Sequence, residues 1–411
     1  MDRRSSIDPL WLVIAAAGIL LVTTGTRNVM GLFVLPIVAA TGVSIVSISF
    51  ALAVGQFIWG AAQPVFGAIA DHYGAHRVMI AGAVLLAGGG LLAAGSSSPL
   101  GFTVSLGMLM PAGAAAGSFA ILIGITAQSL PAAKRSLAAG FINAGGSLGQ
   151  FLFGPSTQFL IGRSGWGIGM LALSLLALLT IPITWLFRGV GTTTAHRLQR
   201  STEAAQSSLR EQLLEAARNR SYLFLHAGFF TCGFHIAFLV THLPGDLQLC
   251  GLPATVAANS VALIGLFNVA GSLSVGWLGA RYRMKNILAL LYASRAVIVA
   301  CYLVMPKTAL NVYLVAGSLG FSWLATVPPT AGLVAKLFGT RYLTTLFGLT
   351  LLSHQIGGFL GAWLGGVAMA QLGSYQWVWY ADMALALAAA LINLPIREPA
   401  LVRHAEQGTA A

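Results

Sequence analysis

The chain has 411 residues, of which 57% are hydrophobic and only 8% charged, with a formal net charge of +12 and a mean hydropathy of +0.83. An ordinary soluble domain carries roughly 25% charged residues, so this composition excludes one and describes a chain built for lipid. The three cysteines, Cys232, Cys250 and Cys301, show neither C-x-x-C spacing nor a metal-ligand cluster, which argues against a zinc site or a disulfide framework.

Apolar runs of about 20 residues, the length that crosses a bilayer, predict twelve spans. They lie near 10–36, 46–69, 78–96, 101–127, 136–160, 167–187, 221–243, 254–279, 286–305, 308–334, 343–370 and 377–396. The first follows Arg3 and Arg4 as a signal peptide would, but it is too long for an ordinary h-region and eleven spans come after it. It reads as an uncleaved helix. The longest polar stretch divides the spans six and six, giving an expected N-terminal half at 1–187, a cytoplasmic linker at 188–220 and a C-terminal half at 221–411. Within the linker, "SLREQLLEAARNR" sets Leu209, Leu213 and Leu214 on one side and charges elsewhere, the pattern of an amphipathic helix at the membrane surface. The expected fold is an all-α polytopic membrane protein with 12 transmembrane helices in two pseudo-symmetric six-helix halves.

Placing the N-terminus in the cytoplasm puts 18 of the 22 Lys and Arg on that side. The exceptions are Arg163 and Lys307 outside and Arg27 and Arg295 within spans. The positive-inside rule then sets both termini in the cytoplasm. The basic balance is a topology signal and gives no reason to expect nucleic acid.

The halves repeat. A shift of 208 residues places Arg27 on His235, Pro36 on Pro244, Gly140 on Gly348 and Gly149 on Gly357, and a shift of 209 places Gly67 on Gly276 and Tyr73 on Tyr282. Such halves can rock as bodies about a central site. "GAIADHYGAHR", Gly67 to Arg77, lies between the second and third spans and resembles the loop signature of the major facilitator superfamily, G-x-x-x-D-R-x-G-R-R. Gly67, Asp71, Gly74 and Arg77 match it, while His72 replaces the first Arg. The resemblance implies a conformational gate at these four residues. Within the superfamily, "GTRNVMGLFVLPI", "GFHIAFLVTHLP", "ATVPPT" and "SHQIGGFLGAWLGG" resemble the bacterial relatives of the monocarboxylate transporters and oxalate/formate exchangers. The Asp and Arg of the eukaryotic carriers' eighth span fall here on Asn268 and Ser272, so proton coupling does not carry over from there. The run "AGGSLGQFLFGP" at 144–155 lacks the Lys of a phosphate loop and partly resembles the superfamily's fifth-helix glycine-proline motif, which mildly favours antiport.

An arginine in a span is a functional expectation because a mid-bilayer charge costs roughly 2.5 to 3.5 kcal/mol on insertion scales. Arg27 is read as facing a water-filled cavity and binding a carboxylate through its forked donors. The competing reading satisfies it with carbonyls, Asn28 and Thr24. Arg295 divides between lining the cavity and an ion pair with Asp382 on the twelfth helix. His235 and His354 can hydrogen-bond a substrate or take up a proton, or pack between helices. Gln355, Asn143, Gln150, Gln56 and Asn268 could line the cavity or join helices. Trp323 and Phe119 are candidate apolar walls.

With no nucleotide-binding, metal or cofactor signature, the expectation is a secondary carrier of a small organic anion, in particular a monocarboxylate. It would work by alternating access, proton-coupled or by exchange, as a monomer in a bacterial cytoplasmic membrane. An exporter of neutral or anionic drugs or metabolites on the same fold stays open, as does a non-transporting membrane sensor.

Overall fold

The computed structural model describes residues 8–188, 209–279, 281–339 and 342–398, a few side chains within helices excepted. The first span is broken: α1 (Pro9–Asn28) is N-capped by the Asp8 carboxylate with Pro9 at the first helical position, and α2 (Gly31–Thr41) resumes after two turn residues. α3 (Ile45–Tyr73) ends at Gly74, whose φ of +89° no β-carbon would favour, and α4 (Ala75–Ala94) starts at once. The fourth span runs through α5 (Pro99–Phe102), a π-helical stretch Thr103–Leu109, α6 (Met110–Ala116) and α7 (Phe119–Gln128). α8 (Ala132–Ser164) and α9 (Trp166–Thr184) complete the first six. The amphipathic segment is helical as expected: α10 (Leu209–Arg218) lies against the chain end of the tenth span, Gln212 Nε2 donating to the Phe338 carbonyl at 2.8 Å. The second six are α11 (Arg220–Leu249), α12 (Ala254–Gly279), α13 (Met284–Val304), the broken pair α14 (Ala309–Ser322) and α15 (Val327–Phe338), α16 (Leu343–Leu372) and α17 (Gln376–Asn393). No strand occurs among the described residues.

The repeat seen in the sequence is a repeat of packing. α1 crosses α8 where Gly149 faces the Leu21 carbonyl, and α11 crosses α16 where Gly357 faces the Phe230 carbonyl. A β-carbon at either glycine would collide with that backbone, so each pair of helices approaches as closely as glycine alone permits. α4 with α9 and α13 with α17 form the matching outer pairs.

The halves meet through α3 on α16 and α8 on α12. The joins lie toward the end away from the N-terminus: Gly366 on Ser49, Gly60 on Gln355, Gly154 on the Ala258 carbonyl, and Asn268 Nδ2 donating to Ser147 Oγ at 2.9 Å. Toward the other end, Val65, Tyr73, Phe141, Leu273 and Trp277 are exposed. Gly67, Gly140, Gly276 and Gly348 there have nothing within 4 Å of where a β-carbon would stand. The molecule is therefore closed at one end and open at the end that carries the Gly67–Arg77 loop.

Gly31 belongs to the closed end, with α2 running so near α11 that a β-carbon would meet the Val240 carbonyl. Gly31→Val should open this seam and shift the population away from the closed-end state by about tenfold or more. Maleimide labelling of a cysteine at Thr241 should accelerate correspondingly, and an unchanged rate would mean the seam is not tight.

Candidate functional site

Arg27 is in the last turn of α1, where a cation complements the negative end of the helix dipole. The break after Asn28 turns α2 away and lets the guanidinium reach the inner face of α3. There Arg27 Nη2 donates to Gln56 Oε1 at 2.5 Å, and the guanidinium carbon sits 4.1 Å over the Trp59 ring. No carboxylate of a described residue lies within ion-pair distance. The side chain forms part of the wall of a cavity enclosing about 460 Å³, together with Thr26, Met30, Gln56, Leu106, Met110 and Thr241 among others. The π-helical stretch supplies Leu106, and the widened turn there fits the habit of such bulges to sit at functional sites. Thr241 reaches in from α11, so both halves contribute to the wall.

Gln355 is brought close to this group. It packs on Gly60, one turn along α3 from Gln56, while Gly358 packs on Gln56 itself. Gln355 is 1% exposed, its Oε1 has no partner, and its Nε2 donates to His354 Nδ1 at 3.4 Å. His354 is buried, with its ring 4.9 Å from that of Phe229. Arg27, Gln56, Trp59 and Gln355 thus form one neighbourhood across the seam between halves. Trp59 went unnoticed in the sequence; its position four residues before Gln63 on a predicted span carries no signal that distinguishes it from a packing aromatic.

His235 and Arg295 lie elsewhere, in the interior of the second half. The expected pairing of Arg295 with Asp382 is not formed. Asp382 Oδ2 instead meets His235 Nδ1 at 2.6 Å, at 0% and 1% exposure. Arg295, equally buried, spends its donors on the break between α14 and α15: the carbonyls of Ser322 and of Trp323, the latter at 2.6 Å, and Cys232 Sγ at 3.3 Å. The reason is local. The end of α14 leaves carbonyls without intrahelical partners, and in an apolar interior a fixed cation with five donors satisfies them. Arg295 does not line the Arg27 cavity.

The amides divide similarly. Asn28 Nδ2 donates to Gln150 Oε1 at 2.9 Å, Gln150 Nε2 to the Val261 carbonyl at 3.2 Å, and the Leu324 amide to Asn268 Oδ1 at 3.0 Å. These join helices; only Gln56 serves the cavity. Asn143 is half-buried on α8, and no hydrogen bond ties it to the other candidates. Of the gate residues, Gly67 and Gly74 stand as described, Arg77 is exposed at the start of α4, and the Asp71 side chain is outside the described residues. Phe119 is exposed and Trp323 is buried beside His235. Asp382 is not the sole interior carboxylate: Asp246 accepts from Tyr302 Oη at 2.5 Å and Trp379 Nε1 at 3.0 Å near the closed end of α11.

The sequence profile described as Major Facilitator Superfamily matches residues 15–362. A protein of Bacillus subtilis (strain 168) named as an uncharacterized MFS-type transporter, YcxA, is 22% identical over 353 residues, 83% of either chain. Among solved structures, a D-xylose-proton symporter is similar with a TM-score of 0.75 at 15% identity, covering 95% of this chain and 98% of that one. The nucleoside transporter NupG, solved as a point mutant, gives 0.74 at 14% identity, with 95% and 100% covered. A bacterial homolog of the human lysosomal transporter Spinster, inward-facing and occupied, gives 0.69 at 16%, with 93% and 96% covered.

Proposed function

The chain belongs to the major facilitator superfamily, and from that premise we propose that it carries a small organic anion, a monocarboxylate in particular, by alternating access about the Arg27 cavity. The observation that carries this reading is a permanent cation in the wall of an enclosed cavity, held in place by a neutral amide and an aromatic face and paired with no described carboxylate. A guanidinium so placed keeps donors for a carboxylate, which it grips in fork geometry. The halves, 1–187 and 221–411 with the linker between, rock so that the end now open closes on Gly67, Asp71, Gly74 and Arg77. The positive-inside pattern assigns that end, with both termini, to the cytoplasm, and supports a bacterial inner membrane as the location.

A second reading has its own observation. Most of the cavity wall is apolar, including Met30, Leu52, Leu86, Leu106 and Val240, and Gln56 with Trp59 already satisfies much of Arg27. A neutral or anionic metabolite exported by the same fold would suit that wall.

Proteoliposomes holding the purified chain separate the two readings. Labelled mono- and dicarboxylates should show saturable uptake, with monocarboxylates preferred, while D-xylose and uridine should not enter. Entry of the neutral probes with no carboxylate flux would hand the function to the second reading.

A further inference from the structure

We propose that the His235–Asp382 couple is a proton-binding site separate from the anion cavity, and that its proton balances the carried anion so that transport is electroneutral, one proton with one monoanion. The proton site stands on the geometry of the second half; the charge balance rests on the anion reading above.

Two polar atoms in this couple have nothing to bond: His235 Nε2 and Asp382 Oδ1. With the imidazole neutral, Nδ1–H donates to Asp382 Oδ2 across 2.6 Å and Nε2 is left as a bare acceptor in an apolar interior. A proton adds to Nε2 without breaking that bond, giving an imidazolium seated on a carboxylate. The groups facing the couple come from every neighbouring helix. α11 contributes Cys232, whose thiol is 3.2 Å from Thr326 Oγ1 and also faces His354 of α16. α13 contributes Arg295 with Tyr292 beside it, and the α14–α15 break contributes Trp323, whose ring is 6.1 Å from that of His235. Among these, Arg295 is the single permanent charge, and its donors go to carbonyls and to sulfur.

The charge count follows. With Asp382 ionised and its imidazole neutral, Arg295 and Asp382 cancel, so the empty carrier holds one net interior charge, that of Arg27. A bound monoanion brings the total to zero. A proton on His235 then restores +1, so the empty carrier and the doubly loaded carrier have the same interior charge. Moving buried charge through a low-dielectric interior is costly, and a carrier that reorients only in these two matching states transports anion and proton together. The membrane potential does no work on such a cycle; the pH gradient does.

The site can be tested without knowing the substrate. A protonated imidazole quenches a nearby indole, so Trp emission of the purified full-length protein should show a reversible transition between about pH 5 and pH 8, the range in which imidazoles titrate. That transition should vanish in Trp323→Phe and in His235→Gln, and leave this window in the isosteric Asp382→Asn. A transition unchanged in His235→Gln or Asp382→Asn overturns the proton site. For the charge balance, proteoliposomes loaded with a pH dye receive sodium salts of lactate, pyruvate or formate. Lumen acidification should accompany uptake, be insensitive to a potassium diffusion potential, and fall at least about tenfold relative to counterflow exchange in Asp382→Asn. Uptake driven by the potential overturns the one-to-one count. If none of the three salts enters, the charge balance falls with the anion reading, and the fluorescence transition still decides the proton site.

Discussion

Arg27→Gln is expected to remove carboxylate uptake almost entirely while leaving the protein monodisperse in detergent. Losing one partner of a desolvated, hydrogen-bonded charge pair costs about 2 to 5 kcal/mol, which is about thirtyfold in affinity at the low end. Glutamine keeps a donor for Gln56 and removes the charge, so the wall of the cavity survives and only the anion loses its counter-charge. Arg27→Lys should be intermediate. The ammonium keeps the charge but neither the fork nor the flat contact with Trp59 now 4.1 Å away, so KM should rise more than the limiting rate falls. Initial rates of labelled monocarboxylate uptake, set against a size-exclusion profile of each variant, measure both effects. Normal transport by Arg27→Gln would reduce Arg27 to a plug held by Gln56 and Trp59, and the exporter reading would lead.

Arg295→Ala should damage stability, and transport only in consequence. Its guanidinium satisfies the carbonyls of Ser322 and Trp323 where the tenth span breaks, in a region where those residues are buried. Each carbonyl left without a partner costs about 1 to 3 kcal/mol, and two of them give about 2 to 6 kcal/mol before the vacated volume is counted. The removal also strips Asp382 of a nearby positive charge, which adds to the loss. The melting temperature in detergent should fall sharply and the yield of folded protein with it. Arg295→Lys should recover part of the loss, since a lysine can reach one carbonyl but cannot span two. A melting temperature equal to that of the native chain would show that the break holds itself together without the arginine.

Much of the fold was legible because its signals are local. The apolar runs, the polar divide at 188–220 and the glycines spaced by 208 residues are periodic features of the chain, and bilayer thickness turns run length directly into span number. Gly149 and Gly357 were matched by spacing, and the structure gives them matching jobs at the α1–α8 and α11–α16 crossings. The breaks were less visible. "VMG" after Asn28 and "WLAT" after Ser322 carry no strong breaker; those helices are interrupted because neighbouring groups satisfy the freed backbone, as Arg295 does for α14.

The candidate site was legible in part. Arg27, His235, Arg295, His354 and Gln355 stood out because polar groups in a span are costly and so mark themselves. Their partners did not. Asp382 could meet either Arg295 or His235, since both lie on helices that pack against α17, and a small rotation of either helix decides which. Gln56, Gln150 and Asn268 are alike in sequence, an amide in an apolar run, yet one holds the cavity arginine and the other two join helices. By itself, then, the sequence determined the solvent, the number of spans, their twofold repeat and the short set of costly polar residues, because each depends on the chain's local composition against a slab of known thickness. The tertiary structure alone decided which of those residues face a cavity, which face each other and which end of the molecule is closed, because helix rotation and helix contact are set by the packing of neighbours far apart in the chain.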